Sequence, residues 1–279
     1  MIIHSDWHIH SEASYDSTLS LDDILVGARL NGFDCVGITD HVNYNNEKFL
    51  SDLRHSAKIV GELASSHPKI ILGVELTPVE LPLFEHLRSS GTREDYVAPP
   101  TDFPYGIELA VTKEELISLG VRYAIGAAHW RVDGPDARSR GNDICECIRE
   151  WYRQQLFLAC DERVTVLGHP WYHGKGIWYD DFSRIDPSMN AEIIAALKEN
   201  GKCIECNAHF FCTSLASEKF RYQYAEFLRE AAEAGVPVTY GSDSHNKYKT
   251  GAPAVVEKHL THAGFRDGDI ANYENVPLW

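Results

Sequence analysis

The segment Ile2-Ile3-His4-Ser5-Asp6-Trp7-His8 is the first of seven short β-rich runs that determine the predicted fold. The runs cover residues 2–8, 34–39, 69–75, 121–128, 164–168, 202–207 and 236–241. They are rich in Val, Ile and small residues and show little strict alternation of apolar and polar positions. This pattern is typical of strands that are buried on both faces, as in a parallel sheet.

Helical patterns occupy segments between these runs. Ser20-Leu21-Asp22-Asp23 resembles a capping box before an apolar stretch that ends near Gly32. Asp186-Pro187 opens a second helix that runs to Gly201, and a third is expected over 218–234. Strand–helix alternation predicts an α/β fold with right-handed crossovers. Seven such units favour a TIM-like (β/α)7 barrel over an open sheet.

The segment of about 77–118 interrupts the alternation. It contains Pro78, Pro82, Pro99, Pro100 and Pro104, and a long Pro-rich segment is usually an elaborated loop or a small subdomain. Because this insertion follows the third strand, it could cover a site and shape specificity. A surface insertion without such a role is the alternative. We expect residues 1–279 to form a single barrel domain that carries this insertion.

The composition excludes several classes of protein. The 279 residues are 44% hydrophobic and 24% charged, as in an ordinary globular protein. The formal charge of −15 disfavours a long nucleic-acid ligand, because an acidic surface repels a phosphate backbone. No apolar run approaches the roughly 20 residues that span a bilayer. The N-terminus lacks the features of a signal peptide, and seven cysteines make a disulfide framework improbable. A cytoplasmic protein is therefore expected.

Histidines and acidic residues end six of the seven runs. These eight residues are His8, His10, His41, Glu75, His129, His169, Asp243 and His245. A single histidine at a strand end is more often a core or surface residue than a ligand. A whole set of such residues at the carboxyl ends of parallel strands, where ligands collect, indicates a binding site instead. Carboxylates buried together need compensating cations, and mixed nitrogen and oxygen ligands suit Zn, Mn or Fe. The set therefore predicts a cluster of two or three divalent metal ions.

The same residues carry a family resemblance. The motifs are His8-Ile9-His10-Ser11, Ile38-Thr39-Asp40-His41, Gly73-Val74-Glu75, Ala128-His129, Gly168-His169-Pro170 and Gly241-Ser242-Asp243-Ser244-His245. Taken in order, they resemble the motifs of the PHP (polymerase and histidinol phosphatase) superfamily. The resemblance implies a distorted (β/α)7 barrel with a trinuclear metal centre. It also adds a ninth ligand, Asp16, which spacing alone would not single out.

The resemblance further implies how the nine ligands are grouped. The first ion would be bound by His8, His10, Glu75 and Asp243. Glu75 would bridge to a second ion, which His129 and His169 complete. The third ion would be bound by Asp16, His41 and His245.

A metal cluster of this kind favours a hydrolase that uses a metal-activated water. Following the histidinol phosphatase branch of the family, we expect a phosphomonoesterase that acts on a small-molecule phosphate ester. Arg131 is the preferred phosphate-binding residue, because arginine holds phosphate oxygens bidentately. His209, beyond the sixth run, is a candidate for substrate contact or general acid catalysis. Two alternatives stay open: hydrolysis of an amide, lactone or phosphodiester on the same centre, or a binding module stabilised by metal.

Overall fold

All seven predicted runs contain strands of a parallel arrangement in the computed structural model. It describes residues 3–43, 47–63, 66–89, 96–97, 106–129, 144–171, 180–214, 216–272 and 274–279. The strands are β1 Ser5–Ile9, β2 Cys35–Ile38, β3 His41–Val42, β4 Lys69–Leu72, β5 Val74–Leu76, β6 Val79–Glu80, β7 Ile107–Glu108, β8 Ala124–Gly126, β9 Val166–Leu167, β10 Cys203–Asn207 and β11 Val238–Gly241. The helices are α1 Leu21–Leu30, α2 Glu47–Glu62, α3 Leu81–Arg88, α4 Lys113–Ser118, α5 Ile144–Cys160, α6 Pro187–Glu199, α7 Ala208–Cys212, α8 Glu218–Glu233 and α9 Ala252–His262.

The strands follow one another around the fold in chain order. One sheet has the order β1-β2-β4 and another has the order β11-β10-β9-β8-β5-β3. The chain passes between them after Ile38, where β3 follows β2, and at Gly73, where β5 follows β4. The two ends of this series lie side by side: Ile9 forms a parallel bridge with Ser244, and Asp243 N donates to His8 O at 2.7 Å. The α/β class with parallel strands is confirmed.

The helix starts show why the local sequence signals were informative. Ser20 caps α1 by accepting a hydrogen bond from Asp23 N. Asp186 caps α6 in the same way, with Pro187 in the first turn. The predicted third helix is α8, which Ser217 caps through Phe220 N. The strands β2, β8 and β10 are buried along their whole length, as expected for strands covered on both faces.

The segment 77–118 has secondary structure of its own. Strands β6 and β7 pair in antiparallel fashion, with Val79 opposite Glu108. Helix α4 starts with a capping box in which Thr112 and Glu115 bond reciprocally to each other's backbone N–H groups. The prediction of one domain over 1–279 with this insertion stays a prediction.

Two further expectations concern chemistry outside the fold itself. All seven cysteines are free thiols in the structure. Within the described ranges, none of the helices is long and apolar enough to cross a bilayer. The cytoplasmic location stays a prediction.

Candidate metal centre

The nine predicted ligands lie together at the carboxyl ends of the strands. They are His8 and His10 at β1, Asp16 in the following loop, His41 in β3, Glu75 in β5, His129 after β8, His169 after β9, and Asp243 and His245 after β11. The carboxyl ends of parallel strands share one face of the fold. Residues separated by more than 200 positions in sequence therefore converge on one site.

Glu75 lies at the centre of this set. Five imidazoles contact its carboxylate: Oε1 is 3.1 Å from His169 Nε2, 3.2 Å from His129 Nε2 and 3.4 Å from His8 Nε2, and Oε2 is 2.9 Å from His41 Nδ1 and 3.2 Å from His10 Nε2. The residue is only 1% exposed. Despite the two close nitrogens, Oε2 makes no hydrogen bond to the described residues. Such an approach without hydrogen-bond alignment is expected of atoms that are directed at a shared ion.

The separations of the ligand atoms near β1 fit a divalent cation. Zinc–nitrogen bonds of about 2.0–2.1 Å in a tetrahedron place neighbouring ligand atoms about 3.3 Å apart. His8 Nε2 and His10 Nε2 are 3.1 Å apart. Asp243 Oδ1 lies 3.5 Å from His10 Nε2 and 3.8 Å from His8 Nε2. These three residues form one candidate ligand group.

Two more candidate groups adjoin the first: one shares His10 with it, and the other shares His41 with the second group. In one, Asp16 Oδ2 lies 3.2 Å from His41 Nε2 and 3.5 Å from His245 Nε2, with His10 beside them. The other contains His41, Glu75 and His129. His41 belongs to both because its two ring nitrogens face different carboxylates, Nε2 toward Asp16 and Nδ1 toward Glu75.

The outer ring nitrogens of two histidines bond to buried acceptors. His8 Nδ1 lies 2.7 Å from Glu205 Oε1, and a carboxylate can only accept, so this nitrogen carries the proton. His129 Nδ1 lies 2.8 Å from Thr77 Oγ1, whose hydroxyl donates to Asn43 Oδ1 at 2.7 Å. That hydroxyl proton is engaged, so Thr77 must accept from His129. Both rings therefore direct an Nε2 lone pair into the centre, as metal-binding histidines do.

The charges of the metal-free site are those of a group of anions neutralised by imidazoles. Burial alone would raise the pKa of Glu75, but His129, His41 and His8 hold it well below its usual range. Burial opposes protonation of His41, yet Glu75 and Asp16 raise its pKa to about 10. Burial lowers the pKa of His129 to about 4 against the attraction of Glu75. Divalent cations that bind here would replace the protons on those imidazoles that are charged in the metal-free site.

Two ligands have backbone conformations that are costly for non-glycine residues. Asp243 has a φ of 52° and His169 a φ of 23°, a region that costs roughly 1–3 kcal/mol per residue and persists where the surroundings enforce it. Lys249 Nζ donates to the carbonyl oxygen of Asp243 at 2.8 Å. Glu205 Oε2 accepts from His169 N at 2.5 Å. The chain therefore stabilises both residues from outside the ligand set.

Two predicted site residues remain, His209 and Arg131. His209 lies in the first turn of α7 beside the centre, where burial and the nearby Lys249 lower its pKa. Arg131 lies outside the described residues. Sequence reasoning missed two residues that bond to candidate ligands. Glu205 lies inside β10, and Thr77 follows β5 but is not one of the usual metal-binding residue types. A signal for Glu205 was present, since a carboxylate inside the buried run 202–207 requires partners.

Comparison with known proteins places the chain in a family. The PHP domain model matches residues 6–209, and the chain therefore belongs to the PHP domain family. This match ends after β10, so it covers seven of the nine predicted ligands and leaves out Asp243 and His245.

Two similar proteins extend this comparison. Over the whole chain, the fold is similar to histidinol phosphate phosphatase from Lactococcus lactis, solved with zinc, L-histidinol and phosphate. The TM-score is 0.66 at 18% identity, with 99% of this chain and 98% of that one covered, which confirms the TIM-like fold. A probable phosphatase of Acetivibrio thermocellus is 43% identical over 60 residues. This match spans 22% of the chain and about a quarter (24%) of that relative's length.

Proposed function

We propose that this PHP protein is a phosphomonoesterase that hydrolyses a small metabolite phosphate with the help of three divalent ions. The observation that carries the proposal is the convergence of nine nitrogen and oxygen ligands on one site, with the lone pairs of His8 and His129 directed inward by buried acceptors. The family and the similarity to a phosphatase support the reaction class.

The ligand set fits such ions well. The close but unaligned atoms around Glu75 Oε2 have a common explanation if cations lie between them. When bound, divalent ions lower the pKa of water toward neutrality and neutralise charge on phosphate oxygens. We assign His8, His10, Glu75 and Asp243 to the first ion, Glu75, His129 and His169 to the second, and Asp16, His41 and His245 to the third. Zinc is the first metal to test, with manganese and iron as alternatives.

Side-chain exposure indicates where the substrate enters. The side chains of His8 and His10 are 0% exposed, whereas Asp16 is 31% and His245 27% exposed. His129, on the other flank of Glu75, is 21% exposed. The site is thus closed to solvent at His8 and His10 and open to solvent at Asp16 and His245. A phosphate group that enters from this side meets the third candidate ion position first.

His209 is suited to hold the substrate as a neutral ring. Its lowered pKa leaves the imidazole uncharged at neutral pH, and bound cations would lower that pKa further. A neutral ring can donate one hydrogen bond to a phosphate oxygen or to the leaving group. We therefore propose hydrogen bonding at His209 in preference to general acid catalysis. Arg131 is proposed as the bidentate phosphate ligand.

A substrate panel tests the proposal. Purified protein loaded with zinc or manganese is incubated with phosphomonoesters that include histidinol phosphate, and with amide, lactone and phosphodiester substrates. We expect inorganic phosphate from at least one monoester, and we expect Arg131→Ala to raise KM for it. Turnover confined to amides or lactones, with that activity intact in Arg131→Ala, would show that the reaction class is wrong.

A further inference from the structure

Strand β10 differs from the other strands that reach the centre, because no predicted ligand follows it directly. It ends at Asn207, but it carries Glu205, which is 1% exposed and lies between two ligand-bearing strands. In the parallel order β9-β10-β11, the neighbours of β10 lead to His169 on one side and to Asp243 on the other.

Both carboxylate oxygens of Glu205 bond to the ligand set or to a residue beside it. Oε1 accepts from His8 Nδ1 at 2.7 Å. Oε2 accepts from the backbone N–H of His169 at 2.5 Å and from Asn207 Nδ2 at 3.3 Å. Asn207 Nδ2 also lies 3.4 Å from Asp243 Oδ2. One buried carboxylate thereby connects a ligand of the first ion to a ligand of the second.

The chain leaves space for this carboxylate at Gly241. A Cβ atom on Gly241 would lie 1.8 Å from Glu205 Oε1 and 2.7 Å from His8 Cβ. A side chain of any size at this position would therefore displace Glu205 or His8. The glycine is explained by the close approach of these side chains across β10 and β11.

We propose that Glu205 is a positioning residue that orients His8 and His169 together and so couples the first and second ion sites. The proposal rests on the metal centre of the proposed function, but not on the identity of the substrate. Through Oε1, Glu205 holds His8 in the tautomer whose Nε2 is free to bind metal. Through Oε2 it holds the left-handed backbone of His169, whose φ is 23°, in the position that directs the ring toward Glu75.

Glutamine cannot substitute for this carboxylate, although it has nearly the same shape. The site presents donors to both oxygens, and an amide has only one oxygen. If that oxygen faces His169 N, the amide NH2 faces His8 Nδ1 and favours the tautomer with its proton on Nε2. If the amide is reversed, its NH2 meets the N–H groups of His169 and Asn207. Either orientation disturbs one of the two ion sites directly, and it weakens the other as well because Glu75 is shared between the first and second ions.

The test compares Glu205→Gln with the wild-type protein and with Asp161→Asn. Asp161 pairs with Arg163 at 2.6 Å and precedes β9, at the opposite end of the strand from the centre. Zinc affinity is measured against a competing chelator, and zinc per chain is counted at a buffered free concentration. We expect Glu205→Gln to bind the first and second ions roughly 10- to 100-fold more weakly, with the Asp16–His41–His245 site retained and Asp161→Asn at the wild-type value.

Two further measurements separate positioning from general damage. Nitrogen-15 spectra of labelled histidine in the zinc-loaded protein read whether His8 keeps its proton on Nδ1 and binds through Nε2, a tautomer that we expect to change in Glu205→Gln. Gly241→Ala, which keeps the carboxylate but displaces it, should weaken the same two ions. Unchanged zinc affinity and an unchanged His8 tautomer in Glu205→Gln would overturn the inference. Failure of the wild-type protein to release phosphate would instead count against the proposed function.

Discussion

Replacing Thr77 by valine tests the orientation of a proposed ligand without touching the ligand itself. Thr77 is 0% exposed, and its hydroxyl accepts from His129 Nδ1 at 2.8 Å while it donates to Asn43 Oδ1 at 2.7 Å. Valine keeps the volume and removes both bonds. His129 is then no longer held with its proton on Nδ1, so Nε2 loses its fixed lone pair.

The expected effect follows from these two contacts. Losing a partner that orients a metal-binding histidine typically costs roughly 10- to 100-fold in metal affinity, or about 1.4–2.7 kcal/mol. Asn43, 2% exposed, also loses its donor. A buried group left unpaired costs about 1–3 kcal/mol, so the free energy of unfolding of the metal-free protein should fall by a similar amount.

The assay is a competitive zinc titration, with denaturant unfolding of the metal-free protein alongside it. Thr77→Ser restores the hydroxyl and should return the affinity close to the wild-type value. Thr165→Val is the matched control, because Thr165 is also buried but its hydroxyl accepts from Ala124 N at the start of β8, the end of the strand opposite the centre. If Thr77→Val folds and binds zinc as tightly as the wild type, the orientation argument for His129 is refuted.

Three further predictions concern the ligands directly. Glu75→Gln removes the negative charge that five imidazoles contact. Zinc content and kcat should both fall. The fall in kcat should be at least about 100-fold, which is larger than the effect of losing a residue that only orients a ligand. Asp16→Asn, at the open side, should release one ion and leave the others, as elemental analysis would show. Because the pKa of His41 is raised to about 10 in the metal-free protein, zinc must displace its proton. Affinity should therefore rise from pH 6 to pH 8, and calorimetry in two buffers should detect proton release, whereas a pH-independent affinity would contradict this assignment.

The features that were predicted from sequence are those encoded by local chemistry. A capping serine, an acidic residue before proline and short runs of Val and Ile act within a few residues, and the structure has α1 and α6 where these signals placed them. The convergence of the candidate ligands could also be predicted, because the carboxyl ends of parallel strands meet at one face whatever the details of packing. Asp16 is the exception, since it follows β1 by a loop and only the family resemblance singled it out.

The residues that were missed act through long-range contacts. Glu205 is 197 positions from His8, and Thr77 is 52 positions from His129; neither pairing has a periodicity that would reveal it. Glu205 is likewise 36 positions from His169, whose left-handed backbone its Oε2 contacts. Sequence patterns can therefore single out candidate ligands, while their orientation depends on the folded surroundings.

The most direct test of the metal centre is anomalous diffraction from crystals grown with zinc, recorded on both sides of the zinc absorption edge. We expect three anomalous peaks at the carboxyl ends of the strands, with neighbouring ions about 3.5–4 Å apart as in known multi-metal hydrolytic sites. One peak should contact His8, His10 and Asp243, a second His129 and His169, and a third Asp16 and His245. Loaded crystals without a peak among these residues would show that they do not form a metal centre.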